Sequence, residues 1–205
     1  MEEWHVRMVD HDERDDVLSE TAVGVRVEPR TDATFEAAFH AYQGAIYNYT
    51  MRMLSDSEQA YDATLVSFEK AYRAWVRLPE DADVRAWLYR IATNTCLDEL
   101  RRRKLIQWQP WDRFTAVFHP KQVASDNPEK ETLRLERAQL VRRALQRLPE
   151  NYRAALLMRE AQGLSCEEVG TALGISRGAA KLVLLRARRK LKDIYLSLGG
   201  EPSDD

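Results

Sequence analysis

Apolar side chains recur every three to four positions from about residue 32 onward, and no stretch alternates apolar with polar over a strand's length. Glycine and proline are sparse, eight and seven in 205 residues, and they group at segment boundaries. This pattern restricts the chain to an all-α fold. A first helix is predicted from about Asp32 to Met53, with Phe35, Phe39, Tyr42, Ile46 and Met53 on one face. Ser55-Asp56-Ser57-Glu58 reads as a capping box, Ser55 and Glu58 exchanging bonds with the free amides of a second helix. That helix turns Ala60, Thr64, Phe68, Ala71 and Trp75 inward. Leu78-Pro79-Glu80-Asp81-Ala82-Asp83 breaks it. A third helix, Val84 to about Lys104, buries Val84, Trp87, Leu88 and Ile91 and ends in Arg101-Arg102-Arg103-Lys104, cations that also suit a helix C-terminal dipole.

Residues 105–127 lose the periodicity yet hold Trp108, Trp111 and Phe114, so they read as a flexible linker that is more than a spacer. Asn127 as cap and Pro128 at the first helical position open a second unit, with helices at about 128–147, 150–162, 166–173 and 177–195. The predicted organisation is a flexible acidic extension over 1–32, a helical domain over 33–104, the linker over 105–127, a second helical domain over 128–195 and a flexible acidic tail over 196–205.

Residues 1–32 carry ten acids against four bases, net −6, and the last ten residues add −3; since the whole chain is −2, the stretch 33–195 carries +7. A basic body with acidic ends suits an anionic partner such as nucleic acid, although solvated charge gives the same count. No apolar run approaches the span of a bilayer, so no membrane insertion is expected, and the acidic start from Met1 to Asp16 is no signal peptide. The expected compartment is the cytoplasm. Cys96 and Cys166 lack metal or redox spacing, and His5, His11, His40 and His119 form no ligand pair, so no metal or other cofactor is expected. Nothing pairs a nucleophile with a base and no glycine-rich phosphate loop exists, so the chain does not read as an enzyme.

The strongest local signal runs from Leu164 to Leu191. Ser165-Cys166-Glu167-Glu168 is a second capping box, Gly174 sits where a helix must turn sharply, and a further helix opens at Ser176. Ala180 and Leu184 fall inward; Arg177 and Lys181 fall outward. From Arg177 to Lys192 there are seven bases and no acid. This is a helix-turn-helix pattern, whose second helix enters the major groove with its N-terminal residues near base edges and its later bases on phosphates. Leu182, Val183 and Leu185 interrupt the polar face. They could fill a wider core, meet thymine methyls or bind a protein partner.

Two stretches resemble extracytoplasmic-function (ECF) sigma factors of the sigma-70 family. Trp87-Leu88-Tyr89-Arg90-Ile91-Ala92-Thr93-Asn94 with Asp98 and Leu100-Arg101-Arg102 resembles the second conserved region. Leu148-Pro149-Glu150-Asn151-Tyr152-Arg153, Gly163-Leu164-Ser165, Gly174-Ile175-Ser176-Arg177-Gly178 and Arg186-Ala187-Arg188 resemble the fourth. The resemblance implies a transcription initiation factor that carries core RNA polymerase to promoters. It places Glu58, Asp62, Leu65, Phe68, Glu69 and Lys70 against the clamp helices of the polymerase largest subunit; Leu65 stands where glutamine is frequent. It assigns the minus-ten element to the loop Leu78, Pro79, Glu80, Asp81, Ala82 and Asp83, as a pocket for an extruded base, and to Arg85, Arg90, Asn94, Arg101 and Arg102, with Trp87 and Tyr89 as candidate stacking rings. It assigns the minus-thirty-five element to Ser176, Arg177, Gly178, Lys181, Leu182, Leu185, Arg186, Arg188 and Arg189. The partners implied are core polymerase and promoter DNA, and the family leaves room for an anti-sigma factor. The linker would thread the polymerase interior. The competing reading is a helix-turn-helix regulator that binds DNA without polymerase, with residues 34–104 as a sensory or dimerising unit.

Overall fold

The computed structural model describes residues 30–106 and 128–201, with the backbone alone at 106 and 128–134. The chain folds into helices α1 (Asp32–Leu54), α2 (Ser57–Trp75), α3 (Val84–Ile106), α4 (Pro128–Arg147), α5 (Glu150–Leu156), α6 (Cys166–Leu173) and α7 (Arg177–Ser197), with no strand among the described residues. A π turn, Leu157–Ala161, prolongs α5. The positions expected for the helices hold to within a few residues. Trp108, Trp111, Phe114 and Asn127 lie outside the described residues.

The connection from α1 to α2 corrects the sequence reading. Ser55 closes α1 in the left-handed conformation, φ 56°, with its amide on the Met51 carbonyl, and it does not cap α2. Asp56 takes that role, its carboxylate accepting from the Gln59 amide at 3.0 Å. Only two residues separate the helices, so one residue ends the first and the next starts the second.

Helices α1, α2 and α3 pack around Ile46, Tyr49, Met53, Phe68, Ala71, Leu88 and Tyr89. The buried side of α3 is Ala86, Leu88, Tyr89, Ala92, Thr93 and Cys96; Val84, Trp87 and Ile91 sit half-buried at its margin. The buried threonine, serine and tyrosine hydroxyls inside this bundle are paired. The Tyr49 hydroxyl meets Thr93 Oγ1 at 2.7 Å, and Thr50 and Thr64 share a hydrogen bond at 2.9 Å beside the Ala60 carbonyl. Burial pushes the Cys96 thiol and the Tyr89 phenol each up to about 12.

Helices α4 to α7 form the second unit around Leu156, Leu157, Leu164, Val169, Leu184 and Leu191. The two units share one apolar core and a polar seam. Across that seam Arg85 pairs with Glu168 at 3.3 Å and donates to the Gln162 carbonyl, and the Tyr89 hydroxyl donates to Gln162 Oε1 at 3.0 Å. Lys104 meets Glu150 at 2.5 Å, and Gln146 donates to the Arg52 carbonyl at 2.9 Å. The Lys104 ammonium, by its hydrogen bond, holds the Glu150 carboxyl below its ordinary range.

Arg153 stands at the junction, 4% exposed. Its guanidinium donates to the carbonyls of Leu145 (2.9 Å), Gln146 (2.8 Å) and Leu148 (3.3 Å) and to the Met53 carbonyl of α1 (2.7 Å). The cation therefore sits at two helix C-termini, where the backbone dipoles favour positive charge.

Candidate nucleic-acid interface

Helices α6 and α7 make the helix-turn-helix. The Ser165 hydroxyl accepts from the Glu168 amide at 3.1 Å, and Glu168 Oε2 accepts from the Ser165 amide at 2.6 Å, so the expected capping box is present. Gly174 ends α6 at φ 68°, a conformation that glycine adopts without a Cβ penalty. Gly170 is a second requirement of the turn, and the sequence reading missed it. A Cβ there would stand 2.8 Å from the Ile175 carbonyl oxygen, and the Ile175 amide, bonded to the Gly170 carbonyl at 2.9 Å, holds the two segments at that distance. Ser176 caps α7, its hydroxyl accepting from the Ala179 amide at 3.2 Å.

Along α7, Ala180, Leu184, Ala187 and Leu191 are buried. Arg177, Gly178, Lys181, Arg186 and Arg189 are exposed on the remaining face. Leu182 and Leu185 are 54% and 44% exposed, so the helix is not rotated to place them in a wider core. Arg188 turns back on its own unit: Nε and Nη2 reach Glu160 Oε1 at 3.0 and 2.6 Å. It ties α7 to the π turn, a role that the run of bases concealed.

The loop between α2 and α3 is a tight turn. The Ala82 amide bonds the Pro79 carbonyl at 3.1 Å, and Asp83 caps α3 by accepting from the Ala86 amide at 3.0 Å. Pro79, Glu80, Asp81 and Asp83 are exposed, whereas Leu78 and Ala82 are half-buried. On α3, Arg90, Asn94 and Arg101 are exposed and recur at four- and seven-residue steps, which aligns them on one face. Arg101 meets Asp98 at 2.9 Å, an exposed pair that solvent screens and that a phosphate could replace, and the exposed Arg102 meets the half-buried Glu99 at 2.9 Å. Arg85 lies apart from this face, in the seam with Glu168 and Gln162. Tyr89 is 1% exposed, which corrects its reading as a stacking ring; Trp87 is half-buried with its ring centroid 6.0 Å from that of Trp75.

On α2, Glu58, Asp62, Leu65 and Glu69 are exposed at four-, three- and four-residue steps. Glu69 pairs with Arg73 at 2.5 Å, and Lys70 donates to Thr95 Oγ1 at 3.1 Å. Phe68 faces inward, edge-on to Phe39 at 4.8 Å, and supports this surface from beneath. Tyr61, Tyr72 and Val76 widen the surface, at 57%, 51% and 76% exposed. With Leu65 they form a stripe at helical spacing, and that stripe could have been read from the sequence.

Among the described residues no group of three His, Cys, Asp or Glu is placed to hold a metal, and no helix is long and apolar enough to cross a membrane.

A helix-turn-helix with an exposed basic second helix, packed beside a second helical unit, defines the class of helical DNA-binding proteins. Comparison with known proteins makes this specific. Residues 38–106 match the model of Sigma-70 region 2, and residues 138–191 match that of Sigma-70, region 4. The chain is 32% identical over 170 residues to the RNA polymerase sigma-H factor of Pseudomonas aeruginosa, covering 81% of this chain and 88% of that one. It is 32% identical over 167 residues to the ECF RNA polymerase sigma factor SigM of Mycobacterium tuberculosis, covering 80% of each. Its fold is similar to that of the sigma factor RpoE in the complex with the anti-sigma factor NepR from Bartonella quintana, with a TM-score of 0.63 at 22% identity over 78% of this chain and 96% of that one. It is also similar to that of CnrH in complex with the cytosolic domain of CnrY, with a TM-score of 0.58 at 22% identity over 82% of this chain and 90% of that one. The chain belongs to the ECF sigma factors of the sigma-70 family. That family comprises transcription initiation factors that act with RNA polymerase.

Proposed function

We propose that this sigma factor divides promoter recognition between its two units as follows. The stripe of Glu58, Asp62, Leu65 and Glu69 on α2, flanked by Lys70 and widened by Tyr61, Tyr72 and Val76, docks on the clamp helices of the polymerase largest subunit. The loop from Leu78 to Asp83 receives a base extruded from the minus-ten element, and Arg90, Asn94, Arg101 and Arg102 hold the separated strand by phosphate contact and hydrogen bonding. The N-terminal end of α7 reads the minus-thirty-five element through Arg177 and Lys181, with Gly178 permitting close approach and Arg186 and Arg189 on phosphates. Arg85 reaches DNA only by leaving Glu168 and Gln162, so the two units part when both elements are engaged. The protein acts in the cytoplasm and has no catalytic role of its own. RpoE and CnrH are each bound by a partner, the anti-sigma factor NepR and the cytosolic domain of CnrY, and an anti-sigma factor is the corresponding partner here.

The observation that carries this reading is the pairing, in order on one chain, of region 2 at 38–106 with region 4 at 138–191. A helix-turn-helix by itself serves many regulators that need no polymerase. The division of labour is tested with single substitutions read by transcription from promoter libraries. Arg177→Ala and Lys181→Ala each reduce use of the upstream element, by about 1–3 kcal/mol for a base-edge contact. Arg189→Ala lowers promoter affinity with the sequence preference unchanged. The reverse pattern would place the reading end of α7 elsewhere.

A further inference from the structure

The residues just before α1 hold the minus-ten loop from behind. Arg30 Nη2 donates to the carbonyls of Pro79 and Glu80 at 3.1 and 3.4 Å, and the guanidinium carbon lies 4.7 Å from the centre of the Trp75 ring. Trp75, 2% exposed at the end of α2, is fixed in turn. Its indole Nε1 donates to the Thr31 carbonyl at 3.1 Å and to Thr34 Oγ1 at 3.2 Å, and Phe35 meets it edge-on at 5.4 Å. Thr31 and Thr34 form the capping box of α1, and the Tyr72 hydroxyl donates to Asp32 at 3.2 Å. The start of α1, the end of α2 and the loop are thus fastened at one point. Arg30 lies eight residues before the region matched by the family model, which begins at residue 38.

The geometry points to Arg30 as a positioning residue for minus-ten recognition, one that sets the shape of the Pro79–Ala82 turn without itself touching the base. A turn that must admit an extruded base needs its backbone carbonyls fixed before the base arrives, since ordering them on binding would cost affinity. Within the turn, the Pro79 carbonyl accepts from both the Ala82 amide and Arg30, and the Glu80 carbonyl accepts from Arg30. A guanidinium spreads its charge over a plane, so its carbon can lie over the indole while one nitrogen, Nη2, reaches two adjacent carbonyls; an ammonium that reaches those carbonyls carries its charge away from the ring.

This inference rests on the loop being the minus-ten pocket, and the experiment separates the two. Full-length wild type, Arg30→Ala, Arg30→Lys and a chimera carrying another ECF factor's 78–83 loop are each combined with core polymerase and transcribed from a library randomised across the minus-ten element. Hydrogen exchange at the Ala82 amide and affinity for core polymerase are measured on the same proteins. The expected result is a changed preference for the chimera and, for Arg30→Ala, a preference flattened about tenfold at the same positions. The Ala82 amide should then exchange about tenfold faster, with core affinity within twofold of wild type. Arg30→Lys should keep most of the defect. If the chimera changes preference but Arg30→Ala matches wild type, Arg30 has no positioning role and the loop reading stands. If Arg30→Lys restores the wild-type profile, charge alone matters and the positioning role is overturned. If the chimera leaves every position unchanged, the loop is not the pocket, and the role inferred for Arg30 falls with it.

Discussion

Replacing Arg153 by methionine should cost about 3 kcal/mol of folding stability. Methionine keeps the apolar stem and fills much of the volume, so the loss isolates the guanidinium. Without it the carbonyls of Met53, Gln146 and Leu148 lose the donor that the structure provides, whereas the Leu145 carbonyl retains the Leu148 amide at 3.2 Å. A buried acceptor left unsatisfied costs about 1–3 kcal/mol, and taking the low end for three of them gives about 3 kcal/mol. The low end is appropriate because the intact state also bears the desolvation of a cation with no carboxylate bonded to it; burial already lowers the Arg153 pKa. Urea unfolding followed by circular dichroism checks the figure. With a slope of about 2–3 kcal/mol/M for a small protein, the midpoint should fall by about 1–1.5 M. Because the Met53 carbonyl belongs to α1 and the other acceptors to the second unit, both units should lose stability together. A loss below about 1 kcal/mol would mean that water or backbone rearrangement satisfies those carbonyls, and the account of the junction would be wrong.

Gly170→Val should destabilise the helix-turn-helix by about 2 kcal/mol through overpacking against the Ile175 carbonyl and weaken upstream-element use, measured by thermal melts and transcription; a neutral outcome would show that the turn can open at no cost. Leu182→Ser and Leu185→Ser should leave the melting temperature unchanged, because both side chains are exposed, and should alter promoter choice at positions where a thymine methyl is met; unfolding would contradict the placement of α7. Stability should fall as pH rises above about 8.5, since Cys96, pushed up to about 12 by burial, stays protonated in the fold after the unfolded thiol begins to ionise. The sign follows from a folded pKa above the unfolded one: the contribution is complete below the unfolded value and is lost towards the folded value. Denaturation at pH 8 and pH 10 should show a slope that Cys96→Ala reduces by more than half, the raised Tyr49 and Tyr89 phenols carrying the rest, and an unchanged slope would assign it to other groups.

The helices and the helix-turn-helix were legible in the sequence because their signals are local. Periodic apolar residues, a serine three residues before a glutamate, and a glycine after the last helical position act within one or two turns of chain. The errors arose where a residue's partner is distant or where two local signals compete. Ser55 looks like a cap by spacing, but the two-residue connection needs it in the left-handed conformation to end α1, which passes the cap to Asp56. Arg85 and Arg188 read as promoter contacts, and Arg153 only as part of the motif that resembles the fourth region. Their partners are 83, 28 and 100 residues away, at Glu168, Glu160 and the Met53 carbonyl, and spacing carries no trace of them. Arg30 was missed for the same reason: its acceptors are backbone carbonyls some fifty residues on, and any residue type supplies a carbonyl.

Transcription reconstituted from purified parts tests the central claim most directly. The protein, core RNA polymerase and a library of duplex promoters are combined, and the same library is footprinted with the protein alone. The account predicts co-migration of the protein with core polymerase, transcripts that start at a defined distance from paired minus-thirty-five and minus-ten elements, and no strong specific footprint by the isolated protein. A tight, sequence-specific footprint without polymerase, together with no stimulation of core enzyme, would contradict it.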